Sequence, residues 1–147
     1  MAYSSSNRPP VSTSSAAKAE SELLPLRYPK VWFAVGCLLV IGVVTGSLLP
    51  ADIVNVVTYN DKLMHAGSYF MLMVWFAGLY RRALHPAIGG VLLALGVSID
   101  LLQGLTATRS LDIYDIAANS LGILGGLGLS VLLLEGWCLR LERRLLT

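Results

Sequence analysis

Charge is what this sequence has least of. Of 147 residues, 14% are Asp, Glu, Lys or Arg and 55% are hydrophobic, whereas a soluble domain usually carries about 25% charged residues. A single water-soluble core of this size cannot hide so many apolar side chains, which excludes an ordinary soluble domain. The same composition excludes disorder for most of the chain, because disorder needs low hydrophobicity. Cysteine is nearly missing: Cys37 and Cys138 are the two present, which excludes a disulfide-built secreted scaffold. The net charge is only +2, so no electrostatic footprint for a nucleic acid is visible. What remains is a small integral membrane protein, all-α.

Residues 1–27 are rich in Ser, Ala and Pro and have no hydrophobic period. They read as a flexible tail, too polar to offset the entropy of ordering. Four apolar runs follow, at about 31–49, 63–80, 87–105 and 112–134, and together residues 28–137 read as a four-helix membrane domain. Each run has the ~20-residue length that crosses a ~30 Å hydrocarbon core, and a helix is the one single segment that satisfies its own backbone there. The first run ends at Pro50 without a small-residue cleavage site and exceeds an h-region of about 7–15 residues, so it reads as an uncleaved span. Residues 138–147 read as a basic tail.

Lys and Arg set the orientation. Arg8, Lys18, Arg27 and Lys30 precede the first run, Arg81 and Arg82 follow the second, and Arg140, Arg143 and Arg144 follow the fourth. Four spans put all of these on one side, leaving Lys62 and Arg109 on the other. Both termini are therefore expected in the cytoplasm of a multi-pass protein. Tyr28, Trp32, Tyr80 and Trp137 fall at the inner boundary and Tyr59 and Tyr114 at the outer one, where aromatic side chains anchor spans.

This orientation gathers the polar residues at the outer level. Asp61, Lys62 and His65 open the second run, Asp100 and Gln103 close the third, and Arg109, Asp112, Asp115 and Asn119 lead into the fourth. Asp61, His65 and Ser68 or Tyr69 share a helix face by spacing. Asp112, Asp115, Asn119, Gly122 and Gly126 form one stripe, polar outside and glycine inside, that should face the bundle interior. Each residue alone has a structural explanation: Asp61, Asp112 and Asp115 suit helix N-termini, Asn119 suits interhelical bonding, and His65 suits a satisfied core position. Convergence of three helices at one depth favours a pocket, because ionisable groups within spans are costly.

At these residues the chain resembles the VanZ-like family of bacterial membrane proteins. The matching pieces are Asp61-Lys62 with His65 and Tyr69, then Asp100 with Gln103, then Arg109 with Asp112, Asp115, Asn119 and Gly122. The resemblance spans about residues 61–126, and it departs at Asp100, where the family more often has Glu. It implies a cell-envelope protein of the bacterial cytoplasmic membrane; the namesake of this broad family is linked to low-level resistance to the glycopeptide teicoplanin.

Three functions fit these residues. The first is binding of an anionic lipid or lipid-linked cell-wall precursor by Asp61, Lys62, His65, Asp100, Gln103, Arg109, Asp112, Asp115 and Asn119, with Arg109 and Lys62 gripping phosphate or carboxylate. The excess of outer carboxylates, Asp52 included, argues against a simple anion trap unless a cation helps. The second is an enzyme on a lipid phosphate or glycolipid, with His65, Asp100 and Asp115 as candidate catalytic groups. A divalent ion on Asp61, Asp112 and Asp115 suits hard-cation chemistry, but there is no His-rich metal motif, and no metal or cofactor is expected. The third, transport, lacks a continuous polar path. A membrane lipid or lipid-linked precursor is the expected partner, and a homo-oligomer is compatible with the sequence.

Overall fold

The computed structural model describes residues 22–49, 61–105 and 112–145. Five helices account for most of them: α1 (Pro29–Leu48), α2 (Asp61–Leu79), α3 (His85–Gly104), α4 (Ile113–Leu132) and α5 (Trp137–Leu145), with a 3-10 turn at Arg82–Leu84 between α2 and α3. Local chemistry fixes the ends. Pro29 and Pro86 sit in the first turns of α1 and α3, where a missing N–H costs nothing. Leu49 ends α1 in an extended conformation, as the residue before Pro50 prefers. Asp112 caps α4 by accepting from the Tyr114 N–H at 2.9 Å. Gly136, at φ +62°, makes the turn from α4 to α5, a left-handed conformation that any side chain would strain.

Three segments are long and apolar enough to cross a membrane: Pro29–Leu48, Arg82–Gly104 and Ile113–Leu132. Helix α2 has a similar length but carries Asp61, Lys62, His65, Ser68 and Tyr69. It is also the centre of the molecule, touching α1, α3, α4 and α5. Its face of His65, Tyr69, Leu72, Met73, Ala77, Gly78 and Leu79 is buried, so protein surrounds His65 and Tyr69, while Asp61, Lys62 and Ser68 are half-buried. The core around it comprises Tyr69, Leu72, Met73, Ala77, Leu92 and Ile123. Helix α1 is the opposite case. Gly36 is its one buried residue, while Leu38 and Ile41 stand exposed, an apolar surface suited to hydrocarbon.

Helix α4 makes the closest approach to α2. Asp115, Ala118, Asn119, Gly122, Ile123, Gly126 and Ser130 form its buried face. A methyl group on Gly122 would run into the carbonyl of Ala66, and one on Gly126 would lie 2.8 Å from that of Phe70. These two glycines let the helix backbones meet with no side chain between them.

The described part of the expected N-terminal tail makes tertiary contacts, and that of the expected basic C-terminal tail is helical. Residues 22–27 pack on the bundle: Leu24 N–H donates to Leu79 O at 2.8 Å, Arg81 N–H donates to Glu22 O at 3.1 Å, and Leu26 is buried. Residues 137–145 are helical, with Cys138 and Glu142 buried and Arg140, Arg143 and Arg144 exposed. Glu142 accepts from the N–H of Arg27 (2.5 Å), the N–H of Tyr28 (3.0 Å) and the indole of Trp32 (3.1 Å). Such a clasp is invisible to local pattern, because its halves lie over a hundred residues apart.

Candidate functional site

The first turns of α2 and α4 meet at one end of the bundle. Lys62 reaches across, donating from Nζ to Asp112 Oδ2 at 2.5 Å and to Asp115 Oδ1. The Lys62 hydrogen bond, aided by the Tyr114 N–H, holds the Asp112 carboxyl below the usual range. One turn further, His65 is buried between the two helices. Its Nδ1 lies 3.2 Å from Asn119 Oδ1, and its Nε2 lies 3.9 Å from Asp61 Oδ1 and 4.0 Å from Asp115 Oδ2. The Asn119 oxygen can only accept, so Nδ1 carries a proton, and in the neutral ring Nε2 turns its lone pair toward the two carboxylates.

Helix α3 supplies the third side. Its glycine at position 96 brings the backbone so near that a methyl group would sit 2.9 Å from Asn119 Nδ2 and 3.0 Å from Tyr69 Oη. Asp100 lies one turn along the same helix, 2% exposed, within electrostatic reach of His65, Asp115, Lys62 and Asp112. Among the described residues, both Asp100 oxygens, Tyr69 Oη and Asn119 Nδ2 are buried without a hydrogen-bond partner. A buried polar atom in that condition costs about 1–3 kcal/mol, and a charged one more.

Of the residues singled out in the sequence, Asp61, Lys62, His65, Asp112, Asp115 and Asn119 form one connected network, and Asp100 faces it electrostatically. Gln103 is buried nearby on α3, but its amide donates to Ser47 O at 2.5 Å, tying α3 to the end of α1. Arg109, like Asp52, lies outside the described residues. Tyr69 lies against the cluster although sequence reasoning gave it no binding role, placing it on the His65 face and among the residues of the family resemblance; its spacing of four from His65 was the available signal.

Two further polar groups lie away from this cluster. His85 Nε2 donates to Ala77 O (3.2 Å) and Tyr80 O (3.3 Å), closing carbonyls that the end of α2 leaves open. Glu142 belongs to the clasp on α5. Burial opposes its charge, but the N–H of Arg27, the Trp32 indole and the N–H of Tyr28 together pull its carboxyl below the usual glutamate range. The tryptophans gather there. Trp32, Trp75 and Trp137 stand 5.4–5.7 Å apart between ring centres, and Trp75 and Trp137 donate to Trp32 O and Val74 O. Their role therefore includes tertiary packing beside the anchoring expected for Trp32 and Trp137. An apolar groove of about 460 Å³ opens between α1, α2 and α3, lined by Val40, Phe76, Tyr80, Leu84 and Ile88 among others.

Comparison with protein-family models, with curated proteins and with solved structures finds no match for this chain.

Proposed function

We propose that this is a four-span, VanZ-like protein of the bacterial cytoplasmic membrane that binds an anionic lipid headgroup or lipid-linked envelope precursor in an outward-facing polar pocket. The observation that carries this reading is the group of partnerless buried atoms on Tyr69, Asp100 and Asn119, set beside the Lys62–Asp112–Asp115 network. Interior polar groups left unpaired suit a site that a ligand completes. Hydroxyl and amine groups of a headgroup would meet Asp100, while Lys62, joined by Arg109, would meet its phosphate or carboxylate.

The clasp supports four crossings. Arg27 and Tyr28, ahead of α1, touch Glu142 on α5. A chain that leaves one membrane face and returns to it makes an even number of passes, which supports α2 as a fourth crossing beside the three long apolar segments. Of its polar residues, His65 and Tyr69 are sheltered by those neighbours. Arg81, Arg82, Arg140, Arg143 and Arg144 then share one side with the clasp, which favours cytoplasmic termini.

The test is mass spectrometry of protein purified with its native lipids, comparing the wild type with Arg109→Ala and Asp115→Asn. A polyprenyl-linked or anionic lipid should be retained by the wild type and lost from both variants. An unchanged lipid profile overturns the reading. A second reading, an enzyme on a lipid phosphate or glycolipid, is favoured by His65 Nε2 lying beside Asp61 and Asp115, which suits a general base. Turnover of the retained lipid, abolished by His65→Gln, would establish it.

A further inference from the structure

We propose that Asp61, His65 and Asp115 hold a divalent transition-metal ion of the Zn²⁺ type at the outer junction of α2 and α4. Each offers one ligand atom, and the three lie within 4.8 Å of one another. With a neutral His65 ring all three are acceptors: the Nε2 lone pair and an oxygen from each carboxylate converge with no donor between them among the described residues. Such an arrangement is repulsive until a cation enters. Metal bonds of about 2.0–2.2 Å put neighbouring ligand atoms of one ion roughly 3–4 Å apart, close to the 3.9 and 4.0 Å seen from Nε2.

The surroundings are arranged as a metal's outer shell usually is. Metal-binding histidines donate their other ring N–H to an oxygen, which fixes tautomer and orientation; here Asn119 Oδ1 takes that role at 3.2 Å. Lys62 occupies the other oxygen of Asp115, leaving Oδ2 to face His65. A separate observation comes from α3. Asp100 is 2% exposed with both oxygens partnerless among the described residues, and the α3 face that carries it meets Asn119 and Tyr69 through Gly96. The charged groups acting on Asp100 are His65, Asp115, Lys62 and Asp112. In that set Lys62, and His65 when it carries a second proton, oppose the carboxylates; with a neutral His65 ring, a doubly charged ion beside it would offset the remaining carboxylate charge among the described residues.

Donor chemistry selects the ion. One imidazole nitrogen with two carboxylate oxygens suits Zn²⁺, which takes three protein ligands and keeps a fourth position open. Ca²⁺ asks for six to eight oxygens. The open position would accept an oxygen from water or from an anionic headgroup. Only that last role rests on the proposed lipid function; binding of the ion does not.

The experiment uses tag-free, full-length protein in detergent, stripped with a chelator and titrated with Zn²⁺ against a chromogenic competitor. The wild type should bind one ion per chain. Asp61→Asn, at a half-exposed position and with its fold checked by circular dichroism, should bind at least tenfold more weakly. Asn119→Ala should lose about 10–100-fold through the misoriented histidine. Glu142→Gln, at the opposite end, should bind as the wild type does. Absence of saturable Zn²⁺ binding, or equal affinity in the wild type and Asp61→Asn, overturns the proposal and leaves a proton on His65 as the neutralising charge. Lipid retention measured on the same samples separates the two ideas: retention without Zn²⁺ binding sinks the metal alone, and Zn²⁺ binding without retention sinks the lipid reading alone.

Discussion

Tyr69 stands where the proposed site meets the core. Its ring sits in the central cluster with Leu72 and Met73, yet its hydroxyl has no partner among the described residues. Truncating Leu72, which is fully buried, should cost about 2–5 kcal/mol through the cavity left behind. Tyr69→Phe removes only the oxygen, and with it a desolvation penalty of about 1–3 kcal/mol. Its melting temperature in detergent should therefore not fall below that of the wild type, while retention of the native lipid should drop. A fall in melting temperature would mean that the hydroxyl serves the fold. This trade of stability for binding is what a preformed recognition site imposes.

Between elements, contact is decided by whether a helix has room for a Cβ. Gly122 and Gly128 lie on the same helix, and by propensity alone each would gain about 0.5–1 kcal/mol on becoming Ala. Around Gly128 nothing lies within 4 Å of the added methyl, whereas at Gly122 it meets the backbone of Ala66, which cannot rotate away. Gly128→Ala should therefore leave folded yield unchanged or raise it, and Gly122→Ala should lower both yield and melting temperature. Equal behaviour of the two would contradict the close α2–α4 packing. The stripe that runs from Asp115 through Asn119 to Gly126 was legible in the sequence because a helical period of three and four is a local property. The 3-10 turn and the short α5 were not. Nine residues of α5 make an apolar pattern too brief to stand out, and its stability comes from Glu142, whose partners lie at the far end of the chain.

For the whole molecule, the clasp is also the place where pH should act. Trp32, Trp75 and Trp137 are the chain's three tryptophans, and all pack in one cluster beside Glu142. Intrinsic fluorescence therefore reads this region and nothing else. The Glu142 carboxyl titrates below its ordinary range in the folded protein. Its stabilisation is therefore complete above the unfolded value of ~4.3 and is lost as pH falls through the lower folded value. Tryptophan emission should shift to the red on acidification across that window, and Glu142→Gln should show the shifted emission already at neutral pH, with the pH response gone. The apolar runs and most of the polar cluster where α2 and α4 meet could be read from residue type and spacing, because helix length and helix period leave few alternatives. The pairing of Lys62 with two aspartates and the isolation of Asp100 could not, since both depend on where three helices finally rest. The clasp has one more consequence, in the order of synthesis. Glu142 emerges 115 residues after Arg27, and at about 5–20 residues per second that is a wait of roughly 6–23 s. Through that interval the entrance to the first helix holds backbone donors and an indole with no carboxylate to receive them, so the earliest part of the bundle to be made is the last to be locked.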